Sequence, residues 1–386
     1  MPGYELIGNE ELEEIQDVFL NGGILFRQGF ENLRNGCYKV KSFEKAFAKV
    51  NKADYSLAVT SGTAALRVAL AALNIGEGDE VITQCFTFVA TAEAIIESKA
   101  TPVCINIDKT LNLDPKELEN AINPKTKAVI AVHMLGNPAR IEKIREICNQ
   151  RKIYLIEDTA WGCGGNFKNI PLGSWGDIGT FSFDFAKTIT TGEGGMIIFK
   201  DKSIYEKACA WHDHGHENNP NVPRWEDTRK SSGFNYRMME LQAAVGIAQL
   251  KKLSYIVTKQ REKRDDIWES IKDINELELR HIPEGSYDTA DALVLFLKNE
   301  KLAIDFRKNL LGVGLATKIL PEAYTWHFAG TWNHMNNLNG DFGKISDSFF
   351  DKSEELLKRS VSIPININQS IEIPKKIRSA LLKTLN

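Results

Sequence analysis

The sequence predicts an α/β protein in which a mixed, mostly parallel sheet flanked by helices precedes a smaller α+β unit. Three observations carry this reading. From about Tyr55 to Phe199, short β-branched runs alternate with longer helical ones, the pattern of a largely parallel sheet covered on both faces. Past about Lys252 a charged helix gives way to weaker strands, "DALVLFL" and "SVSIPINI", and then to a helical tail. The length of 386 residues, set against roughly 150 residues per domain, allows two or three domains. The expected division puts the N-terminal segment and the large unit in 1–253 and the small unit in 254–386.

"SLAVT" reads as the first strand and runs through "SGT" into "AALRVALAAL", whose alanines and leucines recur at helical spacing. "DEVITQC" is a second strand, "TFVATAEAIIESKA" a helix and "PVCINID" a third strand. The run "KAVIAVHML", the helix "ARIEKIREICNQRK" and the strand "IYLIEDTA" continue the alternation. In "TFSFDFAKTITTGEGGMIIF" two apolar runs are joined by a turn rich in threonine and glycine. The stretch "WHDHGHENNPNVPRWEDTRKSSGFNYR" then holds too many Asn, Pro and Ser residues for a helix or strand, and "MMELQAAVGIAQLKKL" resumes as helix. Long loops of this kind are more often functional than accidental.

Composition narrows the partners. Forty-eight basic against 51 acidic residues give a net charge of -3, so no global field recruits nucleic acid or an anionic membrane. The six cysteines are scattered without a CxxC pair, which suits reduced thiols in a cytoplasm and no metal site. The acidic start "MPGYELIGNEELEEIQDVFL" lacks the regions of a signal peptide, and no apolar run reaches the roughly 18 residues of a membrane span. A cytoplasmic protein is expected.

Several residues qualify for chemistry, each with a plainer alternative. Lys187 interrupts an apolar run; it is either a surface charge or, in a closed site, an amine of depressed pKa that condenses with an aldehyde and shuttles protons. Ser61, Gly62 and Thr63, between a strand and a helix start, form either an ordinary N-cap or a phosphate cradle. Asp158 at the end of "YLIED" either caps the next loop or holds the proton of a pyridine nitrogen. Phe88 is either a core aromatic or the face against which a flat ring stacks. Taken in order, these positions compose a pyridoxal phosphate site. The glycines of "TTGEGG" form no GxGxxG after a first strand, which leaves a dinucleotide-binding oxidoreductase unsupported.

The blocks "SGTAAL", "TFVATAEAI", "LNLDP", "EDTAWG", "GSWGDIGTFSF", "KTITTGEGG" and "GFNYRMMELQAAVGIAQL" are collinear with, and together resemble, those of the DegT-type pyridoxal phosphate-dependent sugar aminotransferases, of fold type I. The resemblance implies that Lys187 is the Schiff-base lysine, that Asp158 faces the pyridine nitrogen, and that Gly62, Thr63 and Ser182 contact the phosphate while Phe88 stacks on the ring. It implies that Asn235 reaches the phosphate from a neighbouring subunit, hence a homodimer with shared active sites. It also implies an amino-acid donor, glutamate in most of the family, a keto or aldehyde sugar as acceptor, and pyridoxamine phosphate as the intermediate form. One position departs from the pattern. Where the family usually has glutamine, this chain has Trp161, whose indole N–H donates a hydrogen bond and accepts none. The lysine at 187, where related 3-dehydratases have histidine, favours transamination.

The finer pattern, "MPGYEL", "FSFDFAKTIT" and "HDHGH", is similar to the 8-amino-3,8-dideoxy-manno-octulosonate transaminases of lipopolysaccharide synthesis more than to the nucleotide-sugar branch. A sugar acid needs a cation, and Arg224, Arg229 and Lys318 are candidates beside the alternative of plain surface charge. The resemblance, with its His-Gly pair at His214 and Gly215 and a looser match at His327, implies that these histidines face substrate, an exposed histidine being the alternative at His327, and the alternating His212, His214 and His216 are not expected to hold a metal. The rival of another class is a regulator of this fold that has lost catalysis; the presence of both Lys187 and Asp158 argues against it.

Overall fold

Seven strands form the main sheet of the computed structural model, which describes residues 2–219, 221–335, 338 and 348–386. They are β1 (Tyr55–Val59), β2 (Glu80–Gln84), β3 (Thr101–Ile105), β4 (Thr126–Val132), β5 (Tyr154–Asp158), β6 (Ile178–Ser182) and β7 (Gly195–Phe199), in the order β1-β7-β6-β5-β4-β2-β3. The neighbours from β6 through β5, β4 and β2 to β3 run parallel, and β7 alone is reversed, pairing antiparallel with both β1 and β6. The expected mixed, mostly parallel sheet is therefore present.

The strands are rich in valine and isoleucine because both faces are buried. Leu57, Val81, Ile130, Ile156, Ile178 and Ile197 meet in one apolar cluster. Their chain neighbours Ala58 and Ile198, with Phe181 three residues after Ile178, enter a second cluster, and Ile82, Val129 and Leu155 a third, as period-two alternation requires. The helices between the strands are α3 (Gly62–Ala72), α4 (Ala90–Glu97), α5 (Pro115–Ala121), α6 (Ile141–Arg151) and α7 (Lys202–Trp211); α1 (Asn9–Leu20) and α2 (Lys39–Val50) precede them. Gly195 is required where it stands, since a Cβ there would lie 2.3 Å from the Ser61 carbonyl oxygen.

The helix expected from "TFVATAEAIIESKA" begins only at Ala90. Thr87 donates its backbone N–H to the His327 carbonyl at 2.8 Å, and Phe86 forms an isolated bridge with Phe328, so tertiary bonds hold this stretch outside the helix. Phe88 is left in the connection at the carboxyl edge of the sheet, 40% exposed.

After the polar loop, α8 (Glu240–Ile271) runs 32 residues without interruption, passing through Leu253. Its first half packs in the cluster of Phe43, Phe47 and Met196, and its last turns in that of Leu293, Phe306 and Leu381. The C-terminal sheet is antiparallel, β8 (Glu278–Leu279) to β9 (Ala292–Phe296) to β10 (Ser360–Pro364), with α9 (Glu300–Gly312), α10 (Asp351–Lys358) and α11 (Ile373–Leu385) around it. Ala292, Val294 and Phe296 also join the cluster on the main sheet, so the two sheets share apolar packing.

The start of α8 is tied to the N-terminal segment by a buried ion pair. Arg34 Nη2 lies 2.5 Å from Glu240 Oε1, both side chains 1% exposed, and Glu240 Oε2 accepts the Val40 N–H at 2.9 Å. Burial pushes the Glu240 carboxyl above the usual carboxylate range, against the pull of the Val40 N–H and Arg34. Arg34→Met strands that carboxylate and is expected to cost about 3–5 kcal/mol in urea unfolding at neutral pH. The deficit should shrink as the pH falls, because a protonated Glu240 has no charge to strand.

Candidate active site

Three connections at the carboxyl ends of parallel strands build the site. The first follows β1. Ser61 caps α3, its hydroxyl accepting the Ala64 N–H at 3.0 Å and its carbonyl the Ala65 N–H at 3.0 Å. The N–H groups of Gly62 and Thr63 therefore remain in the first turn, at the positive end of the helix dipole, available to an anion. Ser182, at the end of β6, closes this cradle so tightly that a Cβ on Gly62 would sit 2.7 Å from its Cβ.

The second connection follows β5. Asp158 is 6% exposed, and its oxygens accept the Thr91 hydroxyl at 3.1 Å and the Ala160 N–H at 3.1 Å. Burial raises its pKa, while these two hydrogen bonds and the charge of Lys187 pull the other way. It is thus a buried carboxylate short of a cation, which a protonated ring nitrogen would supply. Next to it, Glu157 is fully buried, accepting the Gly173, Trp175 and Gly176 N–H groups at 2.9, 2.6 and 2.6 Å and holding the His133 imidazole at 2.9 Å. Nδ1 of His133 accepts the Ala139 N–H at 3.1 Å, so in the neutral ring Nε2 carries the proton and donates it to Glu157.

The third connection follows β6. Asp184 shapes a turn, its carboxylate accepting the Ala186 N–H at 2.9 Å and its carbonyl the Lys187 N–H at 3.0 Å. This turn carries Lys187 off the strand and into the cavity. Its Nζ lies 3.4 Å from the centroid of the Trp161 ring. Burial lowers its pKa to about 8, the nearby Asp291 opposing the drop and Lys318 adding to it. At that value amine and ammonium coexist near neutral pH, the condition for moving protons in both directions.

Gly62, Thr63, Phe88, Asp158, Trp161, Ser182, Lys187 and His327 all wall one cavity of about 380 Å³, within the usual range of about 300–1,000 Å³ for small-molecule sites. The His327 ring lies 5.4 Å from that of Phe88, and burial lowers its pKa. Lys318, in the segment after α9, has its Nζ 4.8 Å from the Trp161 ring centroid and 2.5 Å from Asp291 Oδ1.

The remaining expected residues are on the polar loop and do not wall this cavity. Arg224 is engaged with Asp213 at 2.5 and 2.8 Å, a carboxylate it shares with Arg237. Asn235 is exposed and bridges to Asp213, Arg229 is exposed and bridges to His216, and His214 is exposed with φ of 55°. His212 bonds the Cys209 carbonyl and His216 pairs with Asp227 at 3.1 Å, so these two imidazoles serve different partners. Thr91, Asp291 and the bond between His133 and Glu157 are not among the expectations from the sequence. Thr91 had a signal, standing four residues after Thr87 and so sharing its face if helical; the two hydroxyls are 2.9 Å apart.

The chain belongs to the DegT/DnrJ/EryC1/StrS aminotransferase family, whose pattern it matches over residues 25–381. A GDP-perosamine synthase of Escherichia coli O157:H7 is 40% identical over 227 residues, 58% of this chain and 61% of that relative, so the match spans less than two thirds of the relative's length. An aminotransferase from Psychrobacter cryohalolentis superposes with a TM-score of 0.84 at 25% identity, covering 98% of this chain and 97% of that one. A 3-amino-5-hydroxybenzoic acid synthase shares the fold with a TM-score of 0.87 at 24% identity, covering 100% and 98%.

Gly62→Ala tests the cradle directly. The added methyl must push Ser182 from the end of α3, and calorimetric titration with inorganic phosphate should show binding weakened by about tenfold or more.

Proposed function

We propose that this chain is a pyridoxal phosphate-dependent aminotransferase that moves an amino group from an amino-acid donor, glutamate foremost, to a keto or aldehyde sugar destined for a bacterial surface polysaccharide or lipopolysaccharide. The observation that carries the reading is that Lys187, Asp158, Phe88 and the open end of α3 wall one cavity. When bound there, the cofactor supplies an electron sink and a carrier for the amino group. Its fit rests on the residues themselves. The N–H groups of Gly62 and Thr63 with the Ser182 hydroxyl suit the phosphate, and Phe88 offers a ring face. Asp158 keeps a proton on the ring nitrogen, which at the same time supplies the cation that the buried carboxylate lacks.

Lys187 then has two duties. Its amine is the covalent anchor for an aldehyde, and once displaced by a donor it takes a proton from one carbon and returns it to another, which a group with a pKa near 8 does in either direction. Trp161, standing where the family's glutamine would contact the cofactor's 3-hydroxyl, offers the Lys187 ammonium an aromatic face. In the same reading residues 1–253 bind the cofactor, while 254–386 bring Lys318 and His327 towards substrate.

Two acceptors have support. A sugar acid such as an 8-oxo octulosonate is favoured by the sequence pattern and by Lys318 close to the cavity. A nucleotide-linked keto sugar is favoured by the similarity to GDP-perosamine synthase. A homodimer belongs to the proposal too. Its support is that Asn235 stands outside its own chain's cavity, on a loop with exposed Phe234 (51%) and Trp225 (83%) that a second copy would cover. A cytoplasmic site of action is consistent with six cysteines that form no disulfide, and among the described residues no helix is long and apolar enough to cross a membrane.

The test is the visible absorption spectrum of the protein mixed with pyridoxal phosphate. A yellow band that glutamate bleaches, absent from Lys187→Ala, is expected. A band retained by that variant would move the anchor to another lysine, and no band at all would favour the non-catalytic regulator.

A further inference from the structure

Lys187 shares the indole of Trp161 with a second lysine. Nζ of Lys187 is 3.4 Å from the ring centroid and Nζ of Lys318 4.8 Å. Two cations on one aromatic ring repel each other, and Asp291 offsets this. One of its oxygens accepts from Lys318 Nζ at 2.5 Å; the other, buried, has no hydrogen-bond partner. Asp291 is 1% exposed and Lys318 keeps 17% of its side-chain surface, so the pair is held largely away from water.

The backbone around the pair is strained in a way that points to a role. Ala290, immediately before Asp291, has φ of 51°, and Ile319, immediately after Lys318, has φ of 61°. Left-handed backbone is uncommon for any residue other than glycine and a marked outlier for β-branched isoleucine, and such strain persists only where surrounding contacts enforce it. Those contacts are present. The Lys318 N–H is donated to the Ser362 carbonyl of β10 at 2.8 Å, and the Asp291 carbonyl accepts the Ile365 N–H at 3.3 Å. Two residues before Asp291, Thr289 donates its hydroxyl to the Trp161 carbonyl at 3.1 Å, so the segment that presents the aspartate also ties down the tryptophan.

We propose that Asp291 and Lys318 are positioning residues for Lys187, an opposed charge couple that fixes Trp161 as the platform for the lysine amine and balances the field the amine feels. The inference rests on Lys187 being the reactive amine. The other charged or titratable groups around that amine are Asp158 at the end of β5, Asp184 and Glu193 on the connection from β6 to β7, and His327 from the C-terminal unit. Only Asp291 and Lys318 form a couple of opposite charges whose members can be neutralised one at a time.

The couple predicts opposite outcomes for its two halves. Asp291→Asn leaves Lys318 unbalanced and disfavours the Lys187 ammonium; Lys318→Met leaves Asp291 unbalanced and favours it. The readout is the pH dependence of Lys187 methylation by formaldehyde and cyanoborohydride in the cofactor-free full-length protein, followed by peptide mass spectrometry and normalised to exposed lysines. The parent midpoint is expected near 8. Asp291→Asn should lower it by about one pH unit, a tenfold gain in reactivity at a pH below both midpoints, and Lys318→Met should raise it by a similar amount. The double variant should return close to the parent. Midpoints that move in one direction in both single variants, or in neither, overturn the proposal. A purely structural role would not split them by sign. Asn keeps the shape of Asp, and a Lys318→Met protein whose circular dichroism departs from the parent is replaced by Lys318→Gln. Split midpoints with no visible band on adding pyridoxal phosphate would sink the aminotransferase reading alone; a band with unsplit midpoints would sink this inference alone.

Discussion

A sheet buried on both faces can present polar side chains to a ligand only at the ends of its strands, and the site follows from that constraint. β1, β5 and β6 are parallel to one another, so Ser61, Asp158 and Ser182 emerge at one edge although far apart in sequence. The reversed β7 fills the gap between β1 and β6. Its first residue, Gly195, is opposite both Val59 and Ser182 and lets Ser61 approach closely enough to start α3 at the cavity.

Burial then sets the chemistry of what stands at that edge. It disfavours the charged forms of both Asp158 and Lys187, raising the first and lowering the second. Neither group has the full complement of partners a buried charge usually requires. Asp158 relies on one hydroxyl and one N–H, and Lys187 rests on an aromatic face. Glu157, the chain neighbour of Asp158, shows the contrast, with three backbone N–H groups and an imidazole around it. The carboxylate with four partners serves the fold, and in the proposed function the one with two is left for a ligand.

What could be read from the sequence was what local order encodes. The strand ends bearing Asp158 and Ser182, the cap at Ser61 and the lysine breaking an apolar run all announce themselves within a few residues. Trp161 is legible as a departure from the family pattern, but its closeness to two lysines depends on Lys318, which stands 157 residues further along the chain. Asp291 lies in "DTADALVLFL", where nothing distinguishes it from an ordinary acidic residue before a strand. The helix containing Ala90 was expected to start earlier, and it is shortened by bonds to His327 and Phe328 that no local pattern contains. Arg224 could be read as a free cation only because its partner Asp213 is fixed by the path of the loop.

The unbroken helix from Glu240 to Ile271 has a mechanical consequence. At 1.5 Å per residue its 32 residues form a strut about 48 Å long, anchored in the core of the large sheet at one end and in that of the small sheet at the other. A hinge within it would have to break backbone hydrogen bonds and separate packed side chains at once. Beside the cavity stand Phe88 and the segment carrying Trp326 and His327, whose rings lie 6.5 and 5.4 Å from that of Phe88. The strut thus fixes the spacing of the two sheets, and with it the separation of the connection bearing Phe88 from the segment bearing His327, which wall the same cavity.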